Sequence, residues 1–366
     1  MFEEVWRTVN ENYLYPDFHG LDWEAVYQQF APRVAETTSD ESFYALLTEM
    51  VEQLGDHHSR FLAPQDAVIE KVSATGNERR VGIGVIATTT PNGALIQQVL
   101  PGSPAEKAGL RPRDRIIAVD GETCQEEECS EIEGPIGSQV RLTVIRPGEH
   151  ARDIVVTRQH IQIRVTPTVR RLEGDIGYIR IPSLWVRDMS EHVSGGLTDL
   201  VIEKPINGLI LDVRGNPGGW RDVLVSVLSH FVRGDVGVFF DRHSTMPLIV
   251  KQGGGPDLRH VPLVVLIDNT SSSYAEVLAA ILQVETGATV IGVPSLGNTE
   301  TIYAYELAGG GRLWLAQEGF RLSNGVNLEG QGVRPDITID VDWSQFREER
   351  EKDDPHIQEA LRLLSP

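Results

Sequence analysis

Cysteine is scarce in this chain of 366 residues. There are two, Cys124 and Cys129, both in an acidic stretch. Two thiols with no His partner at ligand spacing exclude a structural zinc site. They leave a local disulfide or a pair of free thiols, and free thiols are expected outside an oxidising compartment. Positive charge is also short. Lys and Arg number 33 against 53 Asp and Glu, for a formal net charge of -20. Such a surface repels phosphate backbones and anionic lipid, so neither nucleic acid nor an electrostatic membrane anchor is an expected partner. Long apolar runs are missing. No stretch of about 18 apolar residues exists, so no membrane span is expected. The start, Met1 to Asn10, has no basic region followed by an apolar core and is not a signal peptide. The expected location is the cytosol, or an exported compartment if a leader has been removed.

What is present is enough apolar residue, 40%, to bury a sizeable core, and a length that fits two or three domains. Residues 1 to about 70 have helical periodicity. Phe2, Val5, Trp6 and Val9 share one face, Asp22 to Phe30 starts as a capped amphipathic helix, and Ser39 to Val51 repeats the pattern. The last of these runs out at Gly55-Asp56-His57-His58-Ser59. Pro64 and the polar stretch Ser73 to Arg80 are expected to be a linker. From 80 to 160 the pattern changes to short strands and turns: Val81–Ile86, Ala94–Leu100, Arg115–Val119 and Val140–Ile145, with one short helix from Ser103 to Gly109.

Four ordered pieces of this stretch, Gly82-Ile83-Gly84-Val85, Gly102 to Leu110, Asp114 to Gly121 and Gly134 to Gly137, together resemble a PDZ domain of the bacterial peptidase type. The resemblance implies that a peptide C-terminus adds as an extra strand, with its carboxylate on the backbone N–H groups of the loop Gly82, Ile83, Gly84 and Val85. Missing side chains there let a ligand backbone approach.

From about 165 onward strands and helices alternate, which argues an α/β core. Expected strands are Gly177–Pro182, Gly208–Arg214, Pro262–Asp268 and Ala288–Gly292. Their unbroken apolar runs predict burial on both faces. Helices are expected at Asp222–Phe231 and Tyr274–Gln283. The charged end, Trp343 to Leu364, is expected to be a helix packed on the surface.

The third of these strands leads through Asp268-Asn269-Thr270-Ser271-Ser272-Ser273 into a helix. A strand–turn–helix junction can expose a nucleophile beside free backbone N–H groups. Chemistry alone reads the serines equally well as a plain helix N-cap. The junction resembles the nucleophile motif of the carboxyl-terminal processing peptidases, or tail-specific proteases, in which the reactive serine precedes a glutamate by one helical turn. That places it at Ser273, ahead of Glu276. Leu211 to Gly219 resembles the family's glycine loop. The resemblance then implies an oxyanion hole built from Gly218, Gly219 and the N–H of Tyr274. It covers nearly the whole chain.

One departure matters. Most bacterial members use a Ser–Lys dyad, and the lysine position is Asn298 here. An amide is no general base. Three explanations stay open: a substrate-trapping replacement of the lysine, an inactive peptide-binding relative, or a different base. The tricorn-like branch uses Ser, His and Glu. Its histidine aligns with His58, and its glutamate, shortly before a terminal Pro-Asp motif, aligns with Glu329. The joint match favours a Ser273–His58–Glu329 triad. His57 stands where that branch has an accessory serine and is not assigned. Glu300 is a spare candidate acid.

The expectation is therefore an α/β multidomain chain: an N-terminal helical segment (1–74), an inserted PDZ domain (75–162), a crotonase- or Clp-like peptidase core (163–345) and a C-terminal helix (346–366). It is a serine endopeptidase acting on protein or peptide C-termini, with no metal and no cofactor in its chemistry. The alternative is a catalytically inactive PDZ scaffold.

Overall fold

The computed structural model describes all residues except 57, 74–78, 91, 125–131, 133, 163–164, 347–352 and 366. Its centre is a six-stranded sheet in the order Thr168–Leu172, Ile176–Arg180, Gly208–Asp212, Leu263–Ile267, Thr289–Gly292, Ile337–Thr338. The first pair is antiparallel and the rest run parallel. Every residue of the strands Ile176–Arg180, Gly208–Asp212 and Leu263–Ile267 is buried. The reason is that both faces are covered, as the apolar runs predict. Helices Met189–Ile202, Arg221–Leu228 and Tyr274–Thr286 supply one layer, with Leu197, Leu224 and Leu278 in its core. Each such side chain contributes about 1.5–3 kcal/mol on leaving water.

The opposite face is closed by the helix Pro355–Leu364. Its Ile357, Ala360 and Leu364 pack against Tyr178, Ile210 and Val264. Of the expected surface helix from Trp343 to Leu364, residues 347–352 lie outside the described residues, and Pro355–Leu364 is a helix that lids the sheet rather than lying on the outer surface. Its apolar stripe was there to be seen beneath the charge. A second correction concerns Pro64. The segment Pro64–Ser73 is a helix rather than a linker, and it opens on proline, whose missing N–H costs nothing at that position.

A second sheet joins Arg60–Leu62, Arg312–Leu322, Gly234–Phe240 and Thr245–Val250, with Thr301–Glu306 also paired to the long strand. The N-terminal helices Phe2–Asn12, Trp23–Ala35 and Asp40–Glu52 lie on this sheet. Val5, Phe30 and Met50 share a core with Leu313 and Leu315. Pairing of Arg60–Leu62 with Trp314, Leu313 and Arg312 fixes where the preceding loop, and hence His58, must sit.

The third unit is inserted between these. The strands Arg79–Gly82 and Gln159–Gln162 pair at its neck. Beyond them lies a sheet in the order Val85–Thr90, Gly93–Val99, Arg115–Val119, Gln139–Ile145, Arg152–Thr157. Val85–Thr90 is an edge strand. Arg113 of this unit is buried against the core. It donates to Asp354 Oδ2 at 3.3 Å, and Arg214 donates to both oxygens of Asp212 and pairs with Asp354 at 3.1 Å. Cys124 is disulfide-bonded, so of the two states the sequence left open it is not a free thiol. The only other cysteine, Cys129, lies outside the described residues. The α/β multidomain reading of the sequence holds.

Candidate active site

Loops leaving the carboxyl ends of three neighbouring parallel strands converge at one place, where open α/β sheets commonly bind ligands. The strand Leu263–Ile267 ends in Asp268. Its Oδ1 accepts hydrogen bonds from Gly215 N at 3.1 Å and Ser271 N at 2.8 Å. The chain then turns sharply at Ser273, which has φ 55 and ψ -129. A non-glycine residue there costs about 1–3 kcal/mol, and it lifts the side chain out of the turn in the manner of a nucleophile elbow. Ser273 then caps the helix Tyr274–Thr286.

Opposite lies the loop after Gly208–Asp212. Asn216 braces it, donating to Ile181 O at 2.9 Å and accepting Ser272 N–H on its own carbonyl at 3.0 Å. A Cβ on Gly218 would lie 2.6 Å from Ser273 Cβ, and one on Gly219 would lie 1.9 Å from the Leu184 carbonyl carbon. Glycine is therefore required at both positions. Gly218 N–H donates to Asn216 Oδ1 at 2.9 Å, so it is already engaged. Among the described residues, Gly219 N–H and Tyr274 N–H donate to no other group of the chain. These two can meet an incoming oxyanion. Gly218, with its N–H engaged, lies where the two backbones approach most closely.

The third loop follows Thr289–Gly292 and carries Asn298. Ser273 N–H donates to Asn298 O at 2.8 Å, so Asn298 lies beside the serine. Glu276, fully buried, binds the two loops together. Its Oε2 accepts Ser273 N and Asn298 N, both at 2.9 Å, and its Oε1 accepts Gly297 N and Ser295 Oγ, both at 2.6 Å. Burial pushes its carboxyl up against these four donors. The sequence reading used Glu276 only to find Ser273. The Ser-x-x-Glu capping-box spacing was the signal for this role.

His58 arrives from the N-terminal segment. Asp56 Oδ1 accepts its backbone N–H at 2.8 Å. One ring nitrogen of His58 and one carboxylate oxygen each of Glu300 and Glu329 all lie within 4.8 Å of one another. His58 and Glu300 are buried and Glu329 is half-buried. Glu329 Oε2 is held by Thr299 N at 2.7 Å and Thr299 Oγ1 at 3.1 Å. Burial pushes Glu329 up, against those bonds. Glu300 accepts the Tyr15 hydroxyl. Burial pushes its carboxyl up to about 8, with Glu329 and Asp56 adding to the rise. Tyr15 had no sequence signal, because only the docking of the N-terminal segment brings it here. His57 lies outside the described residues.

A cavity of about 1090 Å³ opens over these groups. Ser273, Asn298, His58, Glu300, Gly219 and Tyr274 all border it, and Trp185, Trp220 and Trp314 give it apolar wall. Trp185 and Trp220 meet edge to face at 4.9 Å. In the inserted unit, Gly84 has φ +87, and a Cβ there would lie 2.3 Å from Ser103 Cβ. Ile83 is buried, and its carbonyl and that of Gly84 accept Ala105 N at 2.8 Å and Leu100 N at 3.0 Å. The loop from Gly82 to Val85 leads directly into the edge strand.

Residues 175–339 match peptidase family S41, residues 95–146 a PDZ domain and residues 1–52 the tricorn protease C1 domain. Residues 175–339 thus carry a peptidase family S41 core. The chain is similar to the carboxyl-terminal-processing protease of Synechocystis sp., at 28% identity over 99% of this chain and 86% of that protein. Similarity extends to carboxyl-terminal-processing peptidase 2, chloroplastic, of Arabidopsis thaliana, at 27% identity over 92% of this chain and 68% of that one. Among solved structures, the photosystem II D1 C-terminal processing protease matches with TM-score 0.66 and 25% identity, covering 93% of this chain and 92% of that one. The chain is thus a serine peptidase with a PDZ domain, similar along most of its length to carboxyl-terminal-processing proteases. No helix among its described residues is long and apolar enough to cross a membrane.

Proposed function

We propose that this serine peptidase cleaves protein or peptide C-terminal tails through a Ser273–His58–Glu329 triad. The observation that carries the reading is that His58 shares the cavity with Ser273 while its ring lies within 4.8 Å of the Glu329 carboxylate. Ser273 Oγ attacks the scissile carbonyl carbon, and its proton passes to His58. The oxyanion is received by Gly219 N–H and Tyr274 N–H. Collapse of the tetrahedral intermediate breaks the C–N bond, and His58 returns the proton to the leaving amine. Water then attacks the acyl-enzyme, losing its proton to His58, and Ser273 is regenerated. Glu329, locked by Thr299, orients the imidazole and offsets its charge. The edge strand Val85–Thr90 and the loop Gly82–Val85 receive the substrate tail as an added strand.

Asn298 favours a second reading, a peptide-binding scaffold without catalysis, because it lacks the ammonium of the Ser–Lys members. A fluorophosphonate probe decides between the two. Labelling of Ser273 that is lost in His58→Ala supports the triad. An unlabelled but folded, peptide-binding chain supports the scaffold.

A further inference from the structure

We propose that His58, Glu300 and Glu329 form a zinc-binding site that shuts the peptidase off when occupied. The three ligand atoms lie within 4.8 Å of one another and come from three separate segments of the chain. A second observation points to an absent cation. Glu300 is 4% exposed, and its Oε2 is buried with no hydrogen-bond partner among the described residues. Such an unmet buried polar atom costs about 1–3 kcal/mol or more. A metal ion removes that cost.

The surroundings have the features of a ligand shell. The other oxygen of Glu300 is held by the Tyr15 hydroxyl, and one oxygen of Glu329 is held by Thr299 N at 2.7 Å. Outer hydrogen bonds of this kind aim ligating carboxylates. One imidazole nitrogen with two carboxylate oxygens, and one position left open, suits Zn²⁺. Calcium and magnesium prefer six or more oxygen ligands, which this cluster does not offer. Tetrahedral zinc ligands sit about 3.3–3.5 Å apart, so the cluster would close by up to about 1.5 Å. His58 and Glu300 border the cavity, which supplies both an entry path and the open fourth position.

Zinc takes the imidazole lone pair that would otherwise accept the Ser273 proton. The inhibition therefore rests on the triad reading, whereas the site itself does not. The test measures Zn²⁺ affinity of the tag-free Ser273→Ala chain by competition with a chromogenic chelator. The expected result is one Zn²⁺ per chain, with affinity falling at least about 10-fold in Glu300→Gln. Co²⁺ in the same chain should give the intense visible absorption of a four-coordinate centre, a readout that needs no variant. Absence of a stoichiometric site, weak six-coordinate Co²⁺ absorption, or unchanged affinity in a natively melting Glu300→Gln would overturn the proposal. Stoichiometric zinc that leaves wild-type cleavage unaffected would keep the site and sink the triad.

Discussion

The carboxylate of Glu276 accepts the backbone N–H of Ser273 at 2.9 Å, from one turn further along the same helix. Its other bonds, to Asn298 N, Gly297 N and Ser295 Oγ, make it a clamp between the nucleophile turn and the neighbouring loop. The strained φ of Ser273 persists because such contacts over-determine it.

Glu276→Gln should therefore slow cleavage without removing any reacting group. The amide nitrogen replaces one acceptor and faces donors, leaving one buried N–H, that of Asn298 or Gly297, unmet at about 1–3 kcal/mol. We expect kcat to fall roughly 10–100-fold with KM little changed, and the melting temperature to drop by several degrees. Steady-state kinetics with a thermal melt check this. Wild-type kcat in the variant would show that Ser273 holds its geometry unaided.

His58 and Asn298 both border the cavity beside Ser273, but only the imidazole can take up a proton. Loss of a triad member costs roughly 10⁴–10⁶-fold in kcat. His58→Ala should lose that much, whereas Asn298→Ala, which keeps the backbone carbonyl that accepts Ser273 N–H, should stay within about 10-fold. Equal losses at the two positions would remove His58 from the role of base.

Gly218 tests the close approach behind the nucleophile. Its φ is +81, and a Cβ would meet Ser273 Cβ at 2.6 Å and Tyr274 N at 2.8 Å. Gly218→Ala must displace the serine or swing the loop, and either change spoils the aim of the Gly219 and Tyr274 N–H groups. Misplaced oxyanion donors cost about 10²–10³-fold. Peptide cleavage at saturating substrate reads this out, and PDZ-directed peptide binding by the same variant should be unchanged. Undiminished turnover would mean that the loop does not line the reaction centre.

Much of this site was legible because family spacing and local chemistry coincide on short segments. Ser273 precedes a helix with a glutamate at the capping-box position, and the glycines of 215–219 sit where backbone must approach backbone. The parallel strands were legible because two-sided burial writes an unbroken apolar run, as in Leu263–Ile267. Tyr15, Asp56 and the Glu300 environment were not legible. They meet only because the N-terminal helices lie on the long strand Arg312–Leu322, a contact between residues about 300 positions apart. The C-terminal helix was misjudged for a related reason. Its charge is conspicuous, but Ile357, Ala360 and Leu364 recur at helical spacing and close the sheet. Nor could the sequence show that Gly218 N–H is consumed by Asn216, since that depends on the turn's geometry.

Asp354 joins the core, the PDZ domain and the C-terminal helix at one buried point. It touches Arg214 of the core at 3.1 Å, Arg113 of the PDZ domain at 3.3 Å and His356 of its own helix at 3.3 Å. Burial alone would raise its pKa. The Arg214 guanidinium, the His356 hydrogen bond and Arg113 outweigh burial and hold it well below the usual carboxylate range. A carboxyl whose folded pKa is depressed binds protons more readily when unfolded. Its stabilisation is thus complete above the unfolded pKa of about 3.9 and is lost as pH falls below it. Acidification from about pH 5 to pH 3 should therefore lower the melting temperature of the wild type more steeply than that of Asp354→Asn. At pH 7 the variant should already be less stable by about 3–5 kcal/mol, because two buried guanidiniums lose their shared counter-charge. Arg113 is one of the two, so limited proteolysis at the neck strands Arg79–Gly82 and Gln159–Gln162 should quicken in the variant as the PDZ domain loosens. Parallel acid melting curves for the two proteins would remove Asp354 from the acid response.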